Sequence, residues 1–530
     1  MGTSSLPIFL LLTMKNNLMI QPALCLHATD NVAVLTRLVK AGETIQCGQR
    51  QVIVLEEIPF GHKIALTQLE PRDSVRKYGQ EIGIAECQIS KGAWVHTHNV
   101  RANITGCNFQ FATDIRFPSP VQPPATFMGY RRADGRCGTR NYIAVISTVN
   151  CSATTAKYVA AELSREDLSD YPNIDGIVPI VHKGGCAMEF QGSDHQQLNR
   201  TLSGFARHPN VAACLILGLG CETAQAHALQ QEIALVQLGP SAKKANLPLT
   251  MNIQEQGGIR KTVKAAVAAL REILPAANDV QRVPIAISEL KVAMECGGSD
   301  GNSGITANPA VGIASDLLIA HGATSILSEV PEMYGAEHLL TQRAVNQSVG
   351  QKLLDRIAWW ESYAKRHGGR IDNNPSVGNK AGGLTTIAEK SLGAIAKAGT
   401  SPLTAVYQYA EAVTEPGFVI MDSPGFDPAS ITGKVAGGAQ LVVFTTGRGS
   451  CFGCKPSPTI KVATNTPMFQ RMNEDMDIDA GVILNGTSVE EVGRTIFDRI
   501  IATASGKQTL SEQQKIGDEE FCPWLPGPIF

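Results

Sequence analysis

The sequence predicts an α/β protein with a small N-terminal β domain, a linker, and a large α/β part whose mostly parallel sheets fall into two subdomains. Three observations predict this. Short β-branched runs crowd residues 23–105, a Pro-rich tract follows at 106–126, and beyond it apolar strand-length runs alternate with amphipathic helical stretches.

Residues 1–22 read as a disposable extension. LPIFLLLT, at 6–13, lacks a basic flank and a small-residue cleavage site, and Met14 offers an alternative start. Within 23–105, VAVLTRLV, QVIVLEEI, HKIALTQL and AWVHTHNV are strand-length runs separated by Gly-containing turns, too close together for crossover helices. FPSPVQPPAT suits neither a helix nor a central strand, so 106–126 is expected to be an extended linker at which the β domain separates.

Residues 127–285 read as the first α/β subdomain. NYIAVIST, DGIVPIV and VAACLILGLG are expected strands; the last is nearly all apolar, as a strand buried on both faces must be. TTAKYVAAELSRE and GIRKTVKAAVAALREIL have helical periodicity. Residues 286–530 read as the second subdomain. Its expected strands include KVAMEC, QLVVFTTG and GVIL, with helices around 309–322 and 340–366.

The totals exclude several function classes. Net charge is −2 without a basic block, which discounts a nucleic-acid binder. No apolar run reaches the roughly 18–20 residues of a membrane span. Aromatic residues are 5% of the chain while Gly reaches 50 residues, a balance suited to tight turns that approach a ligand. The 13 cysteines are odd in number and dispersed, which argues against a disulfide framework and for a reducing, cytoplasmic setting.

Ligands of open parallel sheets sit beyond the carboxyl ends of the strands. The residues there are Asn150, Cys151, His182 to Cys186, Cys221, Glu222 and Cys296. Thiolates are iron and zinc ligands, so Cys151, Cys186, Cys221 and Cys296 are candidate metal ligands, whereas Cys214 lies inside an apolar strand and reads as core. The β domain gathers His27, Asp30, His62, Lys63, His96 and His98, side chains suited to proton transfer or metal ligation. Gly-and-polar loops supply Arg140, Asn141, Ser299, Asp300, Asn308, Glu329, Asn379, Lys380 and Arg448, which suit a polyhydroxylated anion. Cys451 and Cys454 form a single CxxC pair within a Gly loop.

With these motifs assembled, the chain resembles the altronate/galactarate dehydratase family from His27 to about Gly506. HATDNVAV, GHKIAL, YGQEIGIA and VHTHN are similar to that family's small SAF domain, which implies a β-clip fold there, ahead of the large catalytic part. GYRRADGRCGTRN, GLGCE, ECGGSDGNSGITANPAVG, SEVPEMYGAEHLL, NPSVGNKAGGLTTIAEKSLG and FTTGRG are similar to its catalytic part. VHTHN and PEMYGAE lean to the altronate branch. Two departures stand out: Gly184 where the family usually carries Tyr, and SCFGC after Arg448-Gly449 where it usually has a Thr-Pro-Tyr-Gly stretch. Both are expected near the site.

The resemblance implies loss of water from a 2,3-dihydroxy acid, D-altronate first and galactarate as the alternative, giving an enol that tautomerises to a 2-keto-3-deoxy acid. It implies Fe²⁺, with Mn²⁺ as a substitute, and a small-molecule sugar-acid partner in a homo-oligomer; whether the iron is mononuclear or part of an iron–sulfur cluster is left open at this point. The four strand-end cysteines are the expected iron ligands, with His27 and Asp30 as a competing set. His62, Lys63 and His182 are the base or acid candidates. Lys380, Arg140 and Arg448 are candidate clamps for the carboxylate. Ser299, Asp300, Asn308, Glu329 and Asn379 are candidate hydroxyl readers. A lyase with another leaving group, such as sulfite, and a non-catalytic sugar-acid sensor remain as other readings.

Overall fold

The computed structural model describes residues 21–104, 108–165, 168–226, 229 and 249–527. The signal-like stretch at 6–13 therefore lies outside the described residues. No described helix is long and apolar enough to cross a membrane.

Residues 23–101 build only short strands. Ala23–Leu24, Val32–Leu35, Lys63–Ala65 and Trp94–Val95 form one antiparallel sheet. Thr44–Cys47 pairs with Arg50–Ile53, and Gln80–Ala85 lies between Ser74–Lys77 and Val100–Arg101. All four residues of Val32–Leu35 are buried, so both faces of this strand are covered. One face packs into the domain's own small core. The other contributes Val32 and Val34 to the large core that also contains Ile305, Ala307 and Leu392 of the catalytic part.

The β domain is joined to the catalytic part by buried contacts as well as by the linker. Polar groups reinforce the junction. Lys63 and Lys77 reach across to opposite oxygens of Glu389, each at 2.9 Å, with all three side chains essentially solvent-free. Lys63 Nζ also donates to Gly383 O at 2.6 Å. The Gly61 turn inserts between two glycine loops, and an added Cβ at Gly301 or Gly383 would collide with Gly61 O. Glycine is needed there because backbone meets backbone.

The linker carries no strand among its described residues before Thr126–Arg131. It is strapped down all the same: the amides of Thr113 and Asp114 donate to Gln342 O, and that of Val121 to Ala320 O. Thr126–Arg131 then pairs antiparallel with Cys137–Gly138 and with Val283–Ala286, closing a small sheet between the two subdomains.

The first subdomain is a parallel sheet in the order Gly176–Ile180, Tyr142–Ser147, Val211–Gly218, Leu249–Asn252. Every residue of Tyr142–Ser147 and of Val211–Gly218 is buried, as central parallel strands require. Helices Asn150–Arg165 and Ile259–Asn278 cover one face, and Ser193–Ala206 packs on the other. The second subdomain is a seven-stranded parallel sheet. Its order is Leu403–Tyr407, Gly417–Met421, Thr324–Leu327, Lys291–Cys296, Leu441–Thr446, Thr459–Ala463, Ile478–Asp479. GVIL does not join it. It forms 3-10 turns over Ala480–Asn485, closed by Gly486 in the left-handed region at φ 102°. The expected helices settle at Ala307–Ala320 and Gln347–Arg366.

The Glu389 junction gives a direct test. Removing its carboxylate leaves two buried ammonium groups facing each other, and breaking a buried pair in this way costs about 3–5 kcal/mol. Glu389→Ala should lower the thermal unfolding midpoint by several degrees, while Glu43→Ala, in an exposed ion pair with Arg37, leaves it unchanged. Equal midpoints for the two variants would contradict the role assigned to Glu389.

Candidate active site

Titratable groups converge at the carboxyl ends of the central strands of the seven-stranded sheet. Glu295 and Cys296 end strand Lys291–Cys296, and Glu329 follows strand Thr324–Leu327. Glu332 lies in the 3-10 turn Val330–Met333, and Asp427 opens helix Asp427–Ala436 after strand Gly417–Met421. Glu329 holds a left-handed backbone, φ 62°, unusual for a residue with a side chain, and its amide is fixed by Ser423 Oγ at 2.9 Å.

Ligand atoms of Cys296, Glu329 and Glu332 lie within 4.8 Å of one another, as do those of Glu295, Glu329 and Asp427. Three lysines face this basin. Lys390 pairs with Glu332 at 2.6 Å and donates to Asn374 Oδ1 at 3.0 Å. Lys397 stands 3.5 Å from Glu329 Oε2, and Lys434 pairs with Glu295. Four carboxyl groups thus meet three ammonium groups. Glu295 Oε1 and Glu329 Oε1 are buried without a hydrogen-bond partner. Bare buried carboxylate oxygens demand a proton or a cation.

The electrostatics agree. Burial, with repulsion from Glu295, pushes Glu329 up to about 7. Burial, with repulsion from Glu329 and Glu332, pushes Asp427 up to about 7. Burial also raises Glu295, Glu332 and the Cys296 thiol. Lys390 is raised despite desolvation, because Glu332 stabilises its ammonium form.

A small cavity, with room for about one water, lies where this basin meets Tyr78 of the β domain. Cys296 and Lys390 line one part of it, and Tyr78, Asp300 and Glu389 another. Ser299 and Asn308 line it as well. Asn308 is held by Thr445 Oγ1 at 2.7 Å and by its own donation to Gly393 O at 2.9 Å. Asp300 accepts from Ser303, Thr464 and Asn465 side chains at 3.0–3.1 Å, so its oxygens shape the wall. Asn379 closes a capping box with Ser376 and donates to Ser299 O at 2.9 Å, which ties the 377–381 helix to the cavity loop. Lys380 is half-buried on that helix and Arg448 is exposed beside Gly298 and Gly382. Among the described residues neither has a carboxylate within ion-pair distance, which leaves both cations available to an anion.

Several sequence candidates take other roles. Asp30 accepts from the amides of His27, Tyr78 and Gly79, at 2.9, 3.2 and 2.8 Å, so its carboxylate is occupied. It fixes Tyr78, at φ 64°, whose ring enters the cavity wall. His27 turns its Nδ1 to Thr29 Oγ1 at 2.7 Å. Lys63 gives its donors to Gly383 O and both Glu389 oxygens. Burial pushes it down to about 8, yet as a saturated ammonium it positions Glu389 and has no lone pair to act as a base. His62 accepts from Trp94 Nε1 at 3.2 Å and contacts Ala381 O at 3.3 Å, so both ring nitrogens are engaged. His182 is likewise used up by Ser147 O and the Gly184 amide, and burial lowers it to about 4.

Arg140 forms a two-pronged pair with Glu512, at 2.6 and 2.8 Å, and donates to Thr503 O. Asn141 is saturated by Arg132, Asn173 and Ala277. Both are framework residues. The four cysteines do not form one group: Cys296 is buried on the seven-stranded sheet, while Cys151, Cys186 and Cys221 are exposed at the end of the four-stranded one. Gly184 sits in that second place, facing Leu525.

Glu295, Glu332, Asp427, Lys77, Glu389, Lys390, Lys397 and Lys434 were not singled out as site residues from the sequence. One signal was present: helix Ile387–Ala394 is buried at every position yet carries Glu389 and Lys390. Charges in an otherwise small and apolar helix require partners.

Comparison with known proteins agrees with this architecture. Three family models match consecutive parts of the chain. Altronate/galactarate dehydratase SAF domain matches residues 21–103, D-galactarate dehydratase/Altronate hydrolase, second domain matches 129–278, and D-galactarate/Altronate dehydratase, C-terminal matches 287–529. The chain is 38% identical to the altronate dehydratase of Bacillus subtilis (strain 168) over 490 residues, 92% of this chain and 96% of that protein. It is 34% identical to the altronate dehydratase of Escherichia coli (strain K12) over 489 residues, covering 92% and 96%. It is 38% identical to the galactarate dehydratase (L-threo-forming) of Escherichia coli (strain K12) over 512 residues, covering 95% and 96%. The chain therefore belongs to the altronate/galactarate dehydratase family and is an enzyme of the hydro-lyase type.

Proposed function

We propose that the protein dehydrates an aldonic acid, D-altronate, to 2-dehydro-3-deoxy-D-gluconate, with the carboxylate–lysine basin as its catalytic centre. The observation that carries this is the pair of bare, buried carboxylate oxygens on Glu295 and Glu329 at the strand ends. A divalent metal, Fe²⁺ first and Mn²⁺ as a substitute, fits the mixed thiol and carboxylate set of Cys296, Glu329 and Glu332. When bound it would stabilise negative charge on the substrate carboxylate as C2 loses its proton.

The chain's own residues supply the rest. Lys380 and Arg448 bind the substrate carboxylate, because their charges are not taken up by protein carboxylates. Ser299 and Asn308 read substrate hydroxyls from the cavity wall. Asp427, only half-buried and next to Glu329, accepts the C2 proton or delivers one to the departing C3 hydroxyl. Lys390 holds Glu332 and keeps the basin near neutrality. The described cysteines are all free, in keeping with a reducing, cytoplasmic setting.

General acid–base groups contribute about 10²–10⁴-fold. Asp427→Asn should lower kcat by at least about 100-fold in that range while leaving KM and the unfolding midpoint nearly unchanged. Wild-type kcat in this variant would exclude Asp427 from proton transfer.

Two features support altronate over galactarate. PEMYGAE contributes Glu332 to the basin itself. VHTHN places His96 and His98 beside Trp94, with His96 4.9 Å from the His62 ring at the junction with Ala381. His96 Nδ1 is buried and without a partner, and burial pushes the ring down to about 3, so it stays neutral. Neither His96 nor His98 lines the cavity beside Cys296, so VHTHN supports altronate only as the branch motif it resembles. The 38% identity to a galactarate dehydratase keeps galactarate as the second reading. Sites that bond a substrate hydroxyl reject analogues lacking it by about 10⁴–10⁵-fold, so the preference should be sharp. With Fe²⁺ restored anaerobically, kcat/KM should favour D-altronate over galactarate by tenfold or more on the scale of such discrimination. The reverse ratio would overturn the substrate assignment and leave the basin's role intact.

A further inference from the structure

A second chemical centre stands on the other sheet. Strands Gly176–Ile180, Tyr142–Ser147 and Val211–Gly218 are neighbours, and all three run in the same direction. Each delivers one exposed cysteine beyond its carboxyl end: Cys186, Cys151 and Cys221 respectively. Cys214, within the same sheet, is buried, so exposure is confined to the strand ends. None of the three belongs to the basin around Glu329.

The three loops are locked together at the residues flanking these thiols. The Asn150 amide, adjacent to Cys151, donates to Gly184 O at 3.0 Å. Gly185, adjacent to Cys186, accepts from the Ala224 amide at 3.1 Å, in the loop that carries Cys221. Glu222, next to Cys221, accepts from Thr148 Oγ1 at 2.7 Å and from the amides of Leu219 and Gly220 at 3.1 and 2.7 Å. Gly185 has φ 100°, and an added Cβ there would collide with Thr148 O. His182 spends both ring nitrogens bracing the same loop. Gln254 Nε2 lies 3.4 Å from Cys221 Sγ, a donor aimed at the sulfur. A buried carboxylate, a buried imidazole and a strained glycine are thus committed to holding together the three loops that carry these solvent-facing thiols.

Spacing selects the ligand class. Among the described residues, no group of three with ligand atoms all within 4.8 Å includes these cysteines. A single tetrahedral zinc, with Zn–S near 2.3 Å, would draw its thiolates to about 3.8 Å from one another. Neighbouring strands are about 4.8 Å apart, so three adjacent strand ends present a wider frame. That frame suits a polynuclear iron–sulfur unit, whose thiolates bind different iron atoms.

We propose that Cys151, Cys186 and Cys221 are the protein ligands of a four-iron iron–sulfur cluster at the carboxyl end of the four-stranded sheet. Each thiol gives up its proton to solvent as its sulfur bonds iron. Three protein thiolates leave one iron of such a cluster without a cysteine. His182, Glu222 and Gln254 act as positioning residues.

The test uses the full-length protein, incubated anaerobically with Fe²⁺ and sulfide and then desalted. Wild type should retain about four acid-labile sulfide per chain, and about four iron beyond any held in the Glu329 basin, as a cubane requires, with a broad visible charge-transfer band. Cys151→Ser, Cys186→Ser and Cys221→Ser should each lose the band and the sulfide, whereas Cys87→Ser and Glu329→Gln keep both. Unfolding midpoints of the cluster-free forms should match that of cluster-free wild type, which separates ligand loss from misfolding. Alkylation mapped by mass spectrometry should find the three cysteines protected only in the loaded protein. A band that survives in the triple variant, sulfide-free wild type after reconstitution, or zinc bound at these thiols in its place would overturn the proposal. Failure here leaves the Glu329 basin untouched, and loss of the band in Glu329→Gln would likewise contradict two separate centres.

Discussion

The placement of four carboxyl groups at one end of a parallel sheet, with only three lysines to meet them, is the constraint on which the rest of the structure turns. Burying a lone carboxylate is costly enough that proteins protonate it or pair it. Here Glu295 and Glu332 each have a close lysine, Lys397 stands farther from Glu329, and two carboxylate oxygens have no partner. The basin is built to receive something positive, a proton or a metal cation. A structural ion-pair network would be expected to close its own account of donors and acceptors, and this one does not.

The β domain serves that basin indirectly. Lys63 and Lys77 hold Glu389, which precedes Lys390 on the same buried helix, and Lys390 holds Glu332. Asp30 fixes Tyr78 at the cavity wall, and the Gly61 turn wedges between the loops that present Asp300 and Lys380. Groups that have the chemistry of catalysts, Lys63 and His62 among them, therefore work as struts. Their hydrogen-bonding capacity is consumed by backbone and by Glu389. A small domain without a basin residue of its own is thus linked mechanically to the basin.

Much of the fold was legible in the sequence because its signals are local. Continuous apolar runs such as VAACLILG mark buried parallel strands, and the Pro-rich tract marks the passage between parts. GVIL misled because a short apolar run has no periodicity to separate a strand from a tight turn, and Gly486 is what ends it. The site was only partly legible. Cys296 and Glu329 were visible because they sit where an apolar strand gives way to a polar loop. Asp427 and Lys434 share helix Asp427–Ala436 and Lys397 lies in the 3-10 turn Ile395–Ala398, and only the tertiary structure brings them to the basin. Arg140 illustrates the converse: a Gly-Thr-Arg-Asn loop resembles an anion site until Glu512, far along the chain, is seen to occupy the guanidinium. Likewise the strand-end cysteines read as one set, and only sheet assignment divides Cys296 from the other three.

The account rests on the basin being the place where a divalent metal meets substrate. The most direct measurement is a crystal structure of the anaerobically prepared, Mn²⁺-loaded protein, with anomalous scattering recorded on both sides of the manganese edge. A single strong anomalous peak among Cys296, Glu329 and Glu332 is the predicted result. A peak placed elsewhere, such as against His27 and Asp30, with the basin and its lysines unchanged, would contradict the account.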